Sequence, residues 1–323
     1  MTDDILTLYR IPKGDIKILP GHAGGRNKIY RCSKGILRVA ELNDRTFEDY
    51  LAEAEFVHYL AVNGAPVADI QNSINGNFVE QIAKDGKKLY ISLFDYAKGM
   101  LIADNGYKYR KNAPLSEYFY NTGKALGKIH RLSKVYAPEH KRNSYFEKYN
   151  MDYIDKLICN KYSKLKLAIS KHLDSFRQLP KDSEAYGLVH FDFSDGNYHV
   201  DMETGAITVF DFDNCMYCWY MFDLANLWIH GWGWCMSEPD TAQRKELMTN
   251  YFDTILKGYH SETDVSEELL KKLPLFINMV LIENIVDEFE CSKRDNVEIE
   301  YEDIEDAAEC LINEIPYAGF FTK

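Results

Sequence analysis

Apolar and polar positions alternate over residues 14–42, where IKILP, KIYRC and ILRVAEL follow one another across GHAGGRN and SKG. A period of two with glycine-containing turns predicts a β-meander, because successive strand side chains point to opposite faces. After NDRT the period lengthens. In FEDYLAEAEFVHYLAVN, residues 47–63, Phe47, Tyr50, Leu51, Ala54, Val57 and Ala61 recur at helical spacing, with Thr46 placed as N-cap and Gly64 and Pro66 ending the helix. FVEQIA and LYISLFDY return to strand character, after which the pattern is helical over 116–136, near 146–178 and over 241–257. A second apolar strand, AITVFDFDN, lies between the last two. The expected fold class is α+β: a small β-rich lobe with one helix, residues 1–95, and a larger, mainly helical lobe, residues 96–323.

Composition narrows the function classes. A chain of 323 residues is long enough for two packed lobes, since single cores stop growing at roughly 250–300 residues. With 38 basic and 50 acidic residues the net charge is −12, which disfavours nucleic acid and anionic lipid as partners and suits cationic ligands. No apolar run approaches the roughly 18 residues of a membrane span, and MTDDILTLYR lacks the basic start and apolar stretch of an export signal, so a cytoplasmic protein is expected. Seven scattered cysteines point to unpaired thiols. Cys215 and Cys218 form C-x-x-C, but only Cys235 and His230 stand near as further ligands, so buried thiols are favoured over a metal or redox site.

The densest chemistry is HFDFSDGN, residues 190–197, entered from the apolar YGLV. His190, Asp192 and Asn197 read H-x-D-x-x-x-x-N, and Asp211 follows fourteen residues after Asn197. This is the layout of a kinase catalytic loop with its metal-binding aspartate: one aspartate takes a hydroxyl proton while an asparagine and a second aspartate hold Mg²⁺ on the phosphates. A plain polar turn at Asp195-Gly196-Asn197 competes about evenly when the loop is taken alone.

The wider motif set tips that balance. HFDFSDGN, VFDFDN and DLA at 223–225 stand in the order and spacing of the aminoglycoside phosphotransferase and choline kinase superfamily, which this region resembles. GHAGGRNKIY, GILRVAE, EAEFVHYLAVNGAPV, LFDYAKG and ALGKIHRL extend the resemblance over about residues 15–230, nearest in motifs to homoserine-kinase-like and stress-response-kinase-like members. It implies a protein-kinase-like two-lobed fold. By the same resemblance Gly24 and Gly25 approach the phosphates, Arg38 contacts them and Glu53 pairs with it, with Glu55 as rival. Adenine then lies by Phe94, Asp95 and Tyr96, Asp192 is the catalytic base in loop 190–197, and Asn197 and Asp211 hold Mg²⁺, Asp211 on a strand over 207–213. Asp213 is divided between assisting the metal and bonding loop amides, His190 is expected to orient the loop, and Asp223 to buttress it.

Two departures stand out. Arginine occupies the position where lysine is usual, and Arg38 is not automatically equivalent; Lys28 is a neighbouring candidate for part of the role. The glycine hairpin is not G-x-G-x-x-G, and no G-x-x-x-x-G-K-[ST] occurs.

The resemblance thus implies a kinase that uses ATP and Mg²⁺ to phosphorylate a hydroxyl of a small molecule. Candidates are an aminoglycoside, an amino alcohol or an amino acid such as homoserine, with acidity tilting the choice slightly towards a cationic acceptor. The alternatives are a stress-response-type protein Ser/Thr kinase and a non-catalytic nucleotide-binding module. WIHGWGW, 228–234, is expected mainly in the core and secondarily as an acceptor wall. Late acidic residues, among them Asp287 and Glu290, read as a solvated helix face or a negative wall.

Overall fold

The alternating N-terminal segments pair much as their period dictates. In the computed structural model of the chain, which describes residues 3–19, 27–41, 45–84 and 86–317, they form an antiparallel sheet. Its strands are β1 (Lys17–Ile18), β2 (Asn27–Cys32), β3 (Gly35–Ala40), β4 (Ile70–Gln71), β5 (Glu80–Lys84) and β6 (Lys87–Phe94). The order is β1-β2-β3-β6-β4, with β5 also on β6. Gly35 is required where it stands: a Cβ there would lie 2.0 Å from the Phe94 carbonyl oxygen of the neighbouring strand.

Two apolar clusters cover this sheet. Leu37 and Val39 of β3 join Ile91 and Leu93 of β6 with Ile5, Leu6 and Tyr9 at the N-terminus, whereas Ala40 and Tyr90 join Tyr50 and Ala54 of the helix Phe47–Val62. The two-residue period of β3 thereby turns Arg38 to the side opposite Leu37 and Val39. The helix begins in a capping box, in which the Asp49 amide donates to Thr46 Oγ1 at 3.2 Å and the Thr46 amide donates to Asp49 Oδ2 at 2.9 Å.

The chain divides into two units, the first made of residues 1–113, 136–142 and 195–213, the second of 114–135, 143–194 and 214–323. This differs from a single cut after residue 95. The hairpin of Tyr198–Val200 and Ile207–Val209 joins the first unit through backbone bonds: the Ala68 amide donates to Val209 O at 2.9 Å and the Met100 amide to Val200 O at 3.1 Å. The strand anticipated over 207–213 covers only Ile207–Val209. Asp211 has φ 64°, and a 3-10 turn, Phe212–Asn214, follows.

In the second unit the helices Leu115–Ser133 and Thr241–His260 meet through glycine. A Cβ on Gly123 would fall 1.9 Å from Ile255 O, and one on Gly258 2.0 Å from Tyr120 O, so the two backbones touch where any side chain would part them. A two-stranded ladder, Tyr186–Val189 with Met216–Trp219, carries the chain into and away from the 190s loop. The helix Tyr220–Cys235 is mostly buried; of its tryptophans Trp232 is in the core, whereas Trp228 and Trp234 are half-buried, Trp234 packing 5.3 Å from Phe119 and 5.7 Å from Tyr118. The span 146–178 resolves into Tyr145–Lys148, Met151–Leu157 and Ser163–Phe176. Cys215 and Cys218 are buried and form no disulfide, and among the described residues no group of three His, Cys, Asp or Glu side chains is placed to hold a metal. No described helix is long and apolar enough to cross a membrane.

Candidate active site

Arg38 and Glu53 are joined at two points in the first unit, Nη1 to Oε1 and Nη2 to Oε2, each at 2.7 Å, with both side chains buried. Burial alone would pull the guanidinium down, but Glu53, with lesser help from Asp213 and Asp211, holds it above its usual range and charged. The rival Glu55 is engaged elsewhere, 2.6 Å from His140 Nδ1. Lys28 pairs with Glu41 at 2.7 Å at an exposed position, away from a role beside Arg38.

The pair lines a cavity of about 250 Å³, whose walls include Ile29, Val57, Ala68, Phe94, Tyr96 and Asp211. Phe94 lies under the Arg38 guanidinium, 4.9 Å from it, and the Tyr96 hydroxyl donates to the Cys32 carbonyl. The Asp95 amide is committed to Asp69 O at 2.7 Å. Asp95, Tyr96 and Ala97 form one edge of the cavity. Gly24 and Gly25 lie outside the described residues.

Asn197 and Asp211 flank the hairpin of the same unit. The Phe210 amide donates to Asn197 O at 2.9 Å, which sets the residue before Asp211 beside Asn197. Left-handed backbone at Asp211 ends the strand, so the two-residue alternation that would turn Asp213 to the same side fails. Asp213 is instead held by Asn27 Nδ2 at 2.9 Å and Arg45 Nη1 at 3.1 Å, and its carbonyl accepts from Arg142 at 2.7 Å.

Asp192 belongs to the second unit, in a loop fixed from below by Asp223. One Asp223 oxygen accepts the Phe191 amide at 2.9 Å; the other accepts the His190 amide at 3.0 Å and faces His130 Nε2 at 3.0 Å. These bonds hold Phe191 at φ 71°, a conformation costly for a bulky residue. His190, fully buried, takes the Asp192 amide on Nδ1 at 3.3 Å, as expected of a loop-orienting residue.

Two residues escaped the sequence reading. His130 was visible only as part of ALGKIHRL; its place on the buried face of a helix was the available signal. Burial pushes its imidazole down despite Asp223, so it is neutral, and its two nitrogens are matched by donating to Asp223 and accepting from Tyr259 Oη at 3.1 Å. Glu283, on the helix Leu273–Asp295, carried no motif at all. Its carboxyl is pushed up to about 8 by burial and by the charges of Asp287 and Asp192.

Comparison with known proteins identifies the family and several relatives. The phosphotransferase enzyme family model matches residues 17–263. Amicoumacin kinase of Bacillus subtilis (strain 168) is 28% identical over 284 residues, covering 84% of this chain and 79% of that protein. Among solved structures, an amicoumacin kinase in complex with AMP-PNP, Ca²⁺ and Ami superposes with a TM-score of 0.82 at 21% identity, covering 97% of this chain and 92% of that one. A microcompartment-associated aminopropanol kinase gives 0.70 at 16% identity, covering 97% of each chain. With its sheet-based first unit, its helical second unit and a family match over most of its length, this protein has the protein-kinase-like fold and belongs to the phosphotransferase enzyme family.

Proposed function

We propose that this phosphotransferase moves the γ-phosphoryl group of ATP to a hydroxyl of a small molecule, with Mg²⁺ as the metal. The observation that carries the reading is the first-unit cavity with the buried Arg38–Glu53 pair in its wall and Asp211 on its lining. A charged guanidinium held rigid by a two-point carboxylate is suited to steady phosphate oxygens without reorganising. Phe94, Val57 and Ala68 offer apolar faces to a base.

The donor chemistry fits a hard cation. Asn197 and Asp211 supply an amide and a carboxylate oxygen, too few to cage an ion alone and suited to one that nucleotide phosphates also hold. Bound there, Mg²⁺ would neutralise charge building on the transferred group. Asp192 is proposed as the base that orients the acceptor hydroxyl and takes its proton. Its loop is held by Asp223 and His190, so the carboxylate requires little ordering at the moment of reaction.

The test is ATP consumption with mass-spectrometric detection of any product gaining a phosphate, across amino alcohols, amino acids, sugars and aminoglycosides, with Asp192→Asn as control. A phosphorylated product absent from the control supports the reading. Turnover that persists in Asp192→Asn removes Asp192 from the base role, and no turnover on any compound moves the weight to a protein acceptor or a binding module.

A further inference from the structure

Residues 136–142, YAPEHKR, belong to the first unit although the chain on either side of them belongs to the second. They form no helix or strand and run along the helix Phe47–Val62, meeting it at successive turns. Tyr136 places its ring centroid 4.7 Å from that of Tyr59 and 5.1 Å from that of Phe56. His140 meets Glu55 twice, its amide donating to Oε2 at 3.1 Å and its Nδ1 lying 2.6 Å from Oε1. Arg142 reaches the first turn, where Nη1 donates to the Asp49 carbonyl at 3.0 Å.

That carbonyl has a second donor. In an α-helix the amide of one residue donates to the carbonyl four positions before it, so the Asp49 oxygen also takes the amide of Glu53. The same guanidinium donates through Nη2 to the Asp213 carbonyl at 2.7 Å. Arg142 therefore joins two backbones: that of Glu53, which holds Arg38, and that of the turn following Asp211. Asp49 Oδ1 stands farther off, at 3.9 Å, so the two carbonyl bonds are the closer contacts, and the side chain is only 7% exposed. Asp213 is fixed at its other end too, since Oδ2 accepts from Asn27 Nδ2 at 2.9 Å and pairs with Arg45 Nη1 at 3.1 Å. Phe56 and Phe212 meet edge-on at 5.9 Å, so packing acts between the same two elements that the guanidinium bridges.

We propose that Arg142 is a positioning residue of the nucleotide site: by bridging the Asp49 and Asp213 carbonyls it fixes the spacing between the Arg38–Glu53 pair and Asp211. This rests on the kinase reading above and adds the residue that sets the two charged sides of the cavity relative to each other. One set of phosphates can meet both Arg38 and a metal on Asp211 only at one spacing, and a misplacement of about 1 Å can cost about 10²-fold. Arg142 acts through Glu53 and Asp213, not on the nucleotide.

The experiment compares the full chain with Arg142→Ala, Arg142→Lys and Lys141→Ala, the last at an exposed position one residue earlier. Each is followed by calorimetric binding of AMP-PNP with Mg²⁺, amide hydrogen exchange and thermal unfolding. Arg142→Lys keeps the charge and loses the forked guanidinium that spans both carbonyls, and it carries the measurement if Arg142→Ala does not fold. Its AMP-PNP affinity should fall about 10- to 100-fold, the scale of a lost hydrogen bond to a charged group. Exchange should quicken at Glu53 and in the turn after Asp211 together, while Lys141→Ala matches wild type. An arginine that only supports the fold would lower the unfolding temperature and leave affinity, measured well below it, unchanged; that result overturns the proposal. Faster exchange at just one of the two elements overturns it as well. Affinity that weakens in the Arg142 variants while wild type transfers no phosphoryl group to any acceptor would overturn the kinase reading and leave the bridge standing.

Discussion

Arg38 meets Glu53 through two parallel hydrogen bonds of 2.7 Å in the interior of the first unit, so the cation of the cavity wall cannot move without stranding a buried carboxylate. Removing one partner of such a pair costs about 3–5 kcal/mol, because the other charge stays buried. Glu53→Ala should therefore lower unfolding free energy by about that amount in urea titrations and weaken nucleotide binding together. Arg38→Lys keeps the charge but loses the fork, and should cost about 1–3 kcal/mol while raising the KM for ATP. Unchanged stability and KM in Arg38→Lys would show that the fork is dispensable.

Asp192→Asn keeps the shape of the side chain and removes its basicity. A positioned base is worth about 10² to 10⁴ in rate, so kcat should drop by that factor while AMP-PNP affinity and thermal stability hold. Steady-state kinetics beside calorimetric nucleotide binding separates the two; a parallel loss of both would assign Asp192 a structural role instead.

Asp223 gathers two backbone amides and His130 around one buried carboxylate. Replacing it by alanine strands those donors at about 1–3 kcal/mol each, so the loss should exceed about 3 kcal/mol and the loop carrying Asp192 should slacken. Amide hydrogen exchange at His190 and Phe191 reads the loop directly. Protection equal to wild type would remove Asp223 from that task.

Glu283 and His130 give the stability curve opposite slopes, in windows that overlap below pH 6.5. The Glu283 carboxyl, at about 8 when folded against 4.5 for an unperturbed glutamate, holds a proton that the unfolded chain releases. Its contribution is fully present below about 4.5 and is lost as pH rises towards 8. His130 is held below 6.5 when folded, so below that value the unfolded chain takes up a proton the folded one refuses, and stability falls as the solution is acidified. Thermal unfolding from pH 5 to 9 should show Glu283→Gln gaining on wild type towards the alkaline end. An equal pH profile for the two proteins would rule out a proton-holding Glu283.

Local order was legible in the sequence where side-chain period reports burial directly. The meander, the helix after Thr46 and the long helices follow from alternation, spacing and capping, and the ordered motifs over about residues 15–230 carried the resemblance to the phosphotransferase family. Even the choice of Glu53 was approachable, since its neighbours on the helix mark the buried face. The length of the strand before Asp211 was not, because the positive φ that ends it leaves no compositional trace, and the orientation of Asp213 changed with it.

What only the tertiary structure decided are relationships between residues far apart in the chain. Residues 195–213 join the first unit because their hairpin bonds to Pro66, Ala68 and Met100, partners that no local pattern names. His130 reaches Asp223 across 93 positions. Glu283, absent from every sequence motif, takes its raised pKa from burial and from the charges of Asp287 and Asp192, the latter 91 positions away. Hydrophobic period and turn chemistry are properties of neighbouring residues, so the sequence determined elements, family and candidate loop. Desolvation and Coulomb interactions depend on distances through space, and those exist only once the chain has folded.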